Sequence, residues 1–278
     1  MSAWEQMLSA DVLTLGMAAD EARRAQPTGQ VATYVRVHEI TAWELQANAV
    51  VPDVASELRL YVTPESLDEA VAQVRALRTL AGARRVSAFS MADIELRNWP
   101  DLHAALRTLV DAGLDDVAEL PADAVVDLTA SLQSLRRAGA DPQRVTVSHP
   151  ISDRKIEIIS RVHQALALER VARFAPLPRV APIDRPTTGY DDVRMVALAR
   201  LALGQTSIEV DWGLYGPKLA QVALTFGADH LDAVPATDDP ALGRRRATVE
   251  DLERQIRAAG FEPREVRSLR SPPLARIE

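Results

Sequence analysis

The stretch "VDWGLYGPKLAQVALTFGADHLDAV", Val210–Val234, decides the fold. An apolar run leads into a Gly/Pro loop, a helical run follows, and "GAD" introduces another short apolar run. This order is typical of a strand, a loop that faces a ligand, a supporting helix and a return strand. The stretch therefore predicts one unit of a parallel sheet, because parallel strands need a crossover connection.

The same alternation continues along the rest of the chain. Strand-like runs such as "QVATYVRVHEI" (Gln30–Ile40) and "ELRLYV" (Glu57–Val62) alternate with helical runs that end at glycine, as at Gly113. About seven such units favour a barrel over an open sheet. We therefore predict an α/β fold with a parallel (β/α) barrel of TIM-barrel type, partial or full. Residues 1–278 are expected to form a single domain with an N-terminal helix and a C-terminal helical extension.

Capping signals predict where several helices begin and end. Ser9 is a candidate N-cap of the first helix. Thr63 is another candidate, because Pro64 follows it at a position that suits the first residue of a helix. Gly260 is expected to end the last helix.

Composition and charge narrow the class of protein. The 278 residues carry a net charge of -7, and basic residues are interspersed with acids, so a nucleic-acid surface is not favoured. The run "GRRRA" at Gly243–Ala247 is interpreted as a solvated loop rather than a phosphate site. No apolar run is long enough to span a membrane, and the first residues lack a basic leader. We expect a cytoplasmic protein, and a homodimer stays open.

The chain contains no cysteine. This excludes disulfides, thiolate nucleophiles, cysteine-based zinc sites and cysteine-ligated iron–sulfur clusters. The histidines show neither HxH nor HExxH spacing, so no metal site is predicted. The glycine-rich motifs of dinucleotide and phosphate binding are also absent, as is the nucleophile elbow GxSxG.

Candidate catalytic residues lie where strands are predicted to end, because a parallel barrel builds its site from the loops that follow. They are His149, Asp211, His38 and Asp93. Imidazole and carboxylate groups at such positions suit general acid–base chemistry, but the sequence does not show which of them face one another. Asp93 and Asp123 equally suit helix N-caps.

A ligand-binding wall is predicted at the end of the strand that opens the quoted stretch. Asp211 follows the apolar run "SIEV", and Trp212 beside it either stacks on a flat ligand or packs at the barrel mouth. Lys218 lies in the following Gly/Pro segment, and Glu119 ends another strand. These four residues are the predicted ligand contacts.

Two stretches resemble the C-terminal half of one radical-SAM branch, which contains aminofutalosine synthase, dehypoxanthine futalosine cyclase and the FO synthases. They are "RPTTGYDDVRMVALARLALG" and the stretch quoted at the outset. The residues that match the patterns of the branch are Gly189, Asp191, Asp192, Arg194, Ala199, Arg200, Leu201, Gly216, Lys218, Leu219, Ala220, Gln221, Gly227, Ala228 and Asp229. The similarity is strongest over Asp184–Pro263. Weaker similarity at "VSAFSMADI" and "LRTLVDAGLDDV" extends it upstream.

The resemblance breaks at the chemistry. Members of the branch carry a CxxxCxxC loop after the first barrel strand, which holds a [4Fe–4S] cluster that cleaves S-adenosylmethionine. The corresponding region here is "VRVHEITAWELQANAVVPDVASEL", without cysteine. We therefore expect no iron–sulfur cluster and no other cofactor, while S-adenosylmethionine binding stays open.

Three functions remain after this comparison. The first is a non-radical accessory protein of menaquinone formation by the futalosine pathway, which binds a nucleoside-like ligand or a pathway enzyme. The second is a barrel enzyme repurposed for polar acid–base chemistry, of lyase or hydrolase type, on a futalosine-like molecule. The third is a scaffold that binds no small molecule.

Overall fold

The computed structural model describes residues 7, 9–47, 50–150, 154–180, 187–237 and 248–267. The run at 243–247 lies outside these residues. The strands are β1 Val31–Ile40, β2 Glu57–Leu60, β3 Arg85–Ser90, β4 Asp116–Glu119, β5 Arg144–Val147, β6 Arg173–Pro178, β7 Ser207–Asp211, β8 His230–Pro235 and β9 Glu262–Glu265.

Helices alternate with these strands. They are α1 Val12–Arg24, α2 Ala42–Gln46, α3 Leu67–Ala81, α4 Met91–Leu96, α5 Leu102–Ala112, α6 Leu128–Ala138, α7 Lys155–Leu168, α8 Gly189–Leu203, α9 Trp212–Leu224 and α10 Val249–Ala258. The last of the barrel helices, α9, is kinked at Gly216, whose φ is 74°, and Pro217 follows the kink. No helix within the described residues combines the length and the apolar character that crossing a bilayer requires.

Eight parallel strands form the barrel in the order β4-β3-β2-β1-β8-β7-β6-β5. The two ends of this order meet at one bridge between Pro121 and Thr146. There the amide of Ala122 donates to the carbonyl of Thr146 at 2.8 Å, and the amide of Thr146 donates to the carbonyl of Leu120 at 2.9 Å. The sheet is therefore a nearly closed barrel, and the predicted fold class is confirmed.

The C-terminal extension is not purely helical, contrary to the sequence-based expectation. After α10 the chain forms β9, which pairs with the first half of β1 from Val31 to Tyr34, while β2 pairs with the second half. The segment "EPRE" lacks an apolar alternation, so no sequence signal marked it as a strand. It forms because the ten-residue β1 leaves a free edge below β2.

Two helices begin later than the capping signals predicted. Asp11, not Ser9, caps α1, and its carboxylate accepts two amide hydrogen bonds of the first turn, both at 3.0 Å. Ser66, not Thr63, caps α3. Thr63 instead donates its hydroxyl to Asp93 at 2.7 Å. In both cases the later residue reaches the free amides of the first turn.

The apolar core lies between the strands and the surrounding helices. Leu58, Leu60, Val145 and Ile208, for example, are fully buried there. The alternate residues of the same strands point into the barrel interior, and many of them are charged. The closed barrel therefore has an apolar outer layer and a charged centre.

Candidate functional site

The loops after the strands surround a cavity of about 770 Å³, called here the mouth cavity. Five residues predicted at strand ends line it, namely His38, Asp93, Glu119, His149 and Asp211. They come from five different strand ends. The structure therefore brings the four candidate catalytic residues, of which Asp211 is also a predicted ligand contact, and the second ligand contact Glu119 to the same space.

The other two predicted ligand contacts lie elsewhere. The indole of Trp212 is fully buried in the apolar core and does not line the mouth cavity. Trp212 thus occupies the packing position that was the alternative to stacking on a ligand. Lys218 is exposed on α9, outside the lining of the cavity.

Asp211 has two structural partners at the floor of the mouth cavity. One carboxylate oxygen accepts a hydrogen bond from the amide of Leu214 at 2.7 Å, which caps α9. The other oxygen forms a short ion pair with Arg179. The charge of this carboxylate is therefore balanced by a guanidinium before any ligand arrives.

Arg179 is the central cation of the mouth cavity, and the sequence did not single it out. Its Nε lies 3.3 Å from Glu119, and its Nη2 lies 3.7 Å from Glu209. Burial alone would lower the pKa of Arg179, but the carboxylates of Glu119 and Asp211 raise it well above its ordinary value. The only available signal was its place directly after β6, in a loop already expected at the mouth.

Glu39 is the least engaged carboxyl group of the mouth cavity. It projects into the cavity from the end of β1, and no hydrogen bond to it is formed within the described part of the chain. Burial and then the nearby Asp211 raise the pKa of Glu39 above its ordinary value. Tyr61 lines the same cavity. Glu39 is exposed to the cavity and has no hydrogen-bond partner among the described residues, so its carboxyl group is available to a ligand.

The two predicted histidines differ in their surroundings. Burial lowers the pKa of His38, and its Nε2 is buried without a hydrogen bond. The ring of His149 is 65% exposed, and its Nδ1 lies 3.5 Å from Asp123. Asp123 accepts the amide hydrogens of Ser148 at 2.7 Å and of His149 at 2.9 Å, so it fixes the loop rather than capping a helix.

Below the mouth cavity, charged residues fill the barrel interior. Arg59 forms two hydrogen bonds with Asp232, at 2.7 and 3.0 Å, and a third with Glu57 at 2.8 Å. Arg144 donates to Asp232 at 2.6 Å, and Arg173 lies 2.9 Å from Glu209. This interior was missed from the sequence, although the alternating charges in "ELRL", "RVTV" and "IEVD" are its signal.

One cluster of potential metal ligands occurs within the described residues. Glu209, His230 and Asp232 place one ligand atom each within 4.8 Å of one another. Arg59 and Arg144 already donate to Asp232, and Arg173 contacts Glu209. Because a cation there would face three guanidinium groups at short range, the cluster does not suit a metal ion.

The residues after β1 also do not fit the iron–sulfur cluster of the radical-SAM branch. Thr41 and Glu44 form a capping box that starts α2 directly after β1. The side chains there supply hydroxyl and carboxylate oxygens, and the chain has no thiolate to replace them. Iron–sulfur clusters are held by cysteine thiolates, so this donor set is unsuitable.

The residues of the C-terminal third that resemble the radical-SAM branch form contacts within the barrel scaffold, not in the mouth cavity. Arg200 donates to the carbonyls of Gly227 at 2.8 Å, Gly204 at 2.8 Å and Thr206 at 2.9 Å, and to the carboxylate of Asp229 at 2.6 Å. These contacts join the end of α8 to the starts of β7 and β8, away from the mouth. The motif that resembles the family therefore stabilises the barrel.

Comparisons with known proteins support the family resemblance and the barrel fold. Residues 173–271 match the family described as CofH/MqnC C-terminal region. No curated protein matches the chain. The solved structure of methylornithine synthase (PylB) is similar with a TM-score of 0.65 and 14% identity, over 94% of this chain and 92% of that one. HydG, a maturase of the [FeFe]-hydrogenase, is similar with a TM-score of 0.62 and 12% identity, over 92% of this chain and 70% of that one.

At these identities the two structures show a shared fold, and the family match shows a similarity that is limited to residues 173–271. The expected resemblance is confirmed: residues 173–271 are similar to the C-terminal region of the CofH/MqnC radical-SAM branch, in a chain that has the same barrel fold as PylB and HydG.

Proposed function

We propose that this protein binds a small nucleoside-like ligand in the mouth cavity and serves menaquinone formation by the futalosine pathway as an accessory protein without radical chemistry. The match to the CofH/MqnC C-terminal region supports the pathway. The absence of cysteine, together with the helical capping box after β1, supports the loss of the cluster.

The observation that carries the proposal is the convergence of polar groups from separate strand ends on one cavity. Glu39 offers an unpaired carboxyl group, and His38 offers a ring nitrogen without a hydrogen bond. Carboxylates and imidazoles of this kind bind hydroxyl and amino groups, which a nucleoside carries on its sugar and base. The volume of about 770 Å³ suits a ligand of that size.

Ligand binding is tested by thermal shift and calorimetry with adenosine, futalosine and S-adenosylmethionine. A ligand that binds the native state raises the melting temperature with its concentration. We expect Glu39→Gln to weaken binding about tenfold, the loss of one hydrogen bond to a charged group. Glu65→Gln is the control, because Glu65 is an exposed carboxyl group outside the cavity lining. If none of the three compounds binds, the ligand proposal is wrong and the scaffold alternative remains.

The loss of radical chemistry has its own test. Anaerobic reconstitution with iron and sulfide is expected to give neither cluster absorbance nor cleavage of S-adenosylmethionine. A member of the same branch that retains CxxxCxxC serves as the positive control. Stoichiometric cluster binding by this chain would contradict the proposal.

A second candidate function is acid–base catalysis in the same cavity. It is favoured by the contrast between Glu39, whose pKa is raised by burial, and Asp211, which is paired with Arg179. Two carboxyl groups in such different surroundings suit the roles of acid and base. Turnover of a futalosine-like substrate that disappears in Glu39→Gln and Asp211→Asn would support it. Unchanged turnover in Asp211→Asn and in His149→Ala would count against it.

A further inference from the structure

A second cavity, called here the lower cavity, lies at the opposite end of the barrel, where the strands begin. Its volume is about 360 Å³. The guanidinium groups of Arg85, Arg173 and Arg267 line it, together with one carboxylate, that of Asp141. Its charge differs from that of the mouth cavity, where the described lining residues include several acids and one guanidinium, that of Arg179.

Two of the three arginines keep unused donor groups. Arg85 is committed to Asp116 at 3.2 Å and to Asp141 at 3.4 Å. Arg173 has one ion pair, in which its Nε lies 2.9 Å from Glu209, and its two terminal nitrogens form no hydrogen bond or ion pair with another described residue. Arg267 is exposed and forms no ion pair with another described residue. The lower cavity therefore presents cationic donors that the fold itself does not consume.

A buried histidine also lines this cavity. The ring of His230 is only 2% exposed, and its Nδ1 lies 2.7 Å from the hydroxyl of Thr33. Its Nε2 is buried and has no hydrogen bond. Leaving a buried polar atom unpaired is costly, so the inner end of the cavity lacks a polar partner that a ligand or a bound water can supply.

We propose that the lower cavity binds a small oxyanion of the phosphate class, either inorganic phosphate or the phosphate group of a small metabolite. Guanidinium groups recognise such oxyanions by charge-assisted hydrogen bonds in a planar fork. The three arginines disfavour a cation in the same place. This site is independent of the ligand proposed for the mouth cavity.

Anion binding in the lower cavity is coupled to protonation of Glu209. One oxygen of Glu209 lies 2.9 Å from Arg173 at the lower cavity, and the other lies 3.7 Å from Arg179 at the mouth cavity. Burial, and then Asp232, raise the pKa of Glu209 to about 7. The charged and titratable groups that face it are Arg144, Arg173, Arg179, His230 and Asp232. An anion beside Arg173 disfavours a second negative charge at Glu209, so binding takes up a proton.

Calorimetric titration tests the site with sulfate, inorganic phosphate and glycerol phosphate, against chloride at equal ionic strength. We expect saturable binding of the oxyanions and about tenfold weaker binding in Arg267→Gln, the loss of one charge-assisted contact. Arg254→Gln is the matched control, because Arg254 is an exposed arginine on α10 outside the cavity. Equal affinity in the two variants, or equal binding of chloride, would overturn the proposal. Tighter binding of glycerol phosphate than of phosphate identifies a metabolite as the source, and the reverse identifies the free ion.

The proton link is tested with sulfate, whose charge is constant in the relevant range. Its affinity should rise as pH falls from about 8 to about 6, because Glu209 then becomes protonated. Glu209→Gln should bind sulfate with the high affinity at every pH. If that variant does not fold, proton uptake by the wild type is measured from titrations in buffers of different ionisation enthalpy. Binding without proton uptake would overturn the link to Glu209. The anion site itself would then be judged by the comparison of Arg267→Gln with Arg254→Gln.

Discussion

Arg59 on β2 and Asp232 on β8 are joined by two hydrogen bonds, of 2.7 and 3.0 Å, although β1 lies between their strands. The pair therefore crosses the barrel interior. Arg144, on β5, donates to the same carboxylate. Burial would raise the pKa of Asp232, but Arg144 and Arg59 hold it well below its ordinary value. This carboxylate connects three strands of the barrel from within.

Replacing Asp232 with asparagine should destabilise the protein strongly. The change leaves Arg59 and Arg144 buried with too little compensating charge. Breaking a buried ion pair in this way typically costs about 3–5 kcal/mol. Urea denaturation followed by circular dichroism measures the change in the free energy of unfolding.

The control for this prediction is Asp251→Asn on the surface of α10. Asp251 forms an ion pair with Arg254 at the same N–O distance of 2.7 Å, but both side chains are well exposed. Solvent screens that pair, so the loss should stay below about 1 kcal/mol. Equal losses in the two variants would show that burial does not set the value of the Asp232 contacts.

The difference between the faces of β2 explains what the sequence could and could not predict. Alternation in "ELRL" identifies a strand with an apolar face at Leu58 and Leu60 and a charged face at Glu57 and Arg59. The pattern usually indicates one buried and one solvated face. In a closed barrel both faces are buried, so the charged face must pair with those of other strands. Closure depends on strands far apart in sequence, and a local pattern does not contain it.

The sequence predicted which loops form the mouth cavity, but not which side chains contact one another there. The rule that strand ends supply the site located Asp93 and His149 correctly, because it needs only the order of the elements. It did not separate Asp211, which faces the cavity, from Trp212, which turns into the core one residue later. Nor did it show that Arg179 would meet Asp211, since that contact depends on the register of β6 beside β7.

Stability should depend on pH through Glu209. Burial raises its folded-state pKa to about 7, above the unfolded value, so the folded protein binds more protons between these values. The stabilisation is present at low pH and is lost as pH rises through about 7, with a limit of about 3 kcal/mol. Glu209→Gln should therefore lose less stability than the wild type between about pH 5 and about pH 8. Unfolding free energies measured across this range check the difference.

One control variant and the slope that remains in Glu209→Gln sharpen this test. Glu250→Gln removes an exposed carboxyl group on α10 and should leave the wild-type slope unchanged. Asp116, whose pKa burial raises to about 6, should maintain a smaller slope of the same sign in Glu209→Gln. If Glu209→Gln keeps the full wild-type slope, Glu209 is not the titrating group.

The Gly227 position of the family-like "GAD" motif should tolerate no side chain. Its φ of +99° is left-handed, and a Cβ there would lie 2.7 Å from the Cβ of Arg200. Gly227→Ala is expected to cost about 3 kcal/mol or more, from backbone strain together with displacement of Arg200. Gly139→Ala is the control, since its backbone is left-handed with φ of +94° and an added Cβ would make only an ordinary contact of 3.5 Å with Val110. It should cost about 1–2 kcal/mol. Thermal unfolding of the two variants measures the contribution of the close approach to Arg200.

Substitution of Trp212 should lower stability and leave ligand affinity nearly unchanged. A role in stacking on the ligand would give the reverse result. Trp212 is fully buried, so Trp212→Phe should cost about 1–3 kcal/mol of stability through lost packing. Adenosine binding by the folded variant should stay within a factor of about two of the wild type, because the indole does not line the mouth cavity. Trp43, 74% exposed, is the control, and Trp43→Phe should leave stability nearly unchanged. A large loss of adenosine affinity in Trp212→Phe at unchanged stability would restore the stacking interpretation.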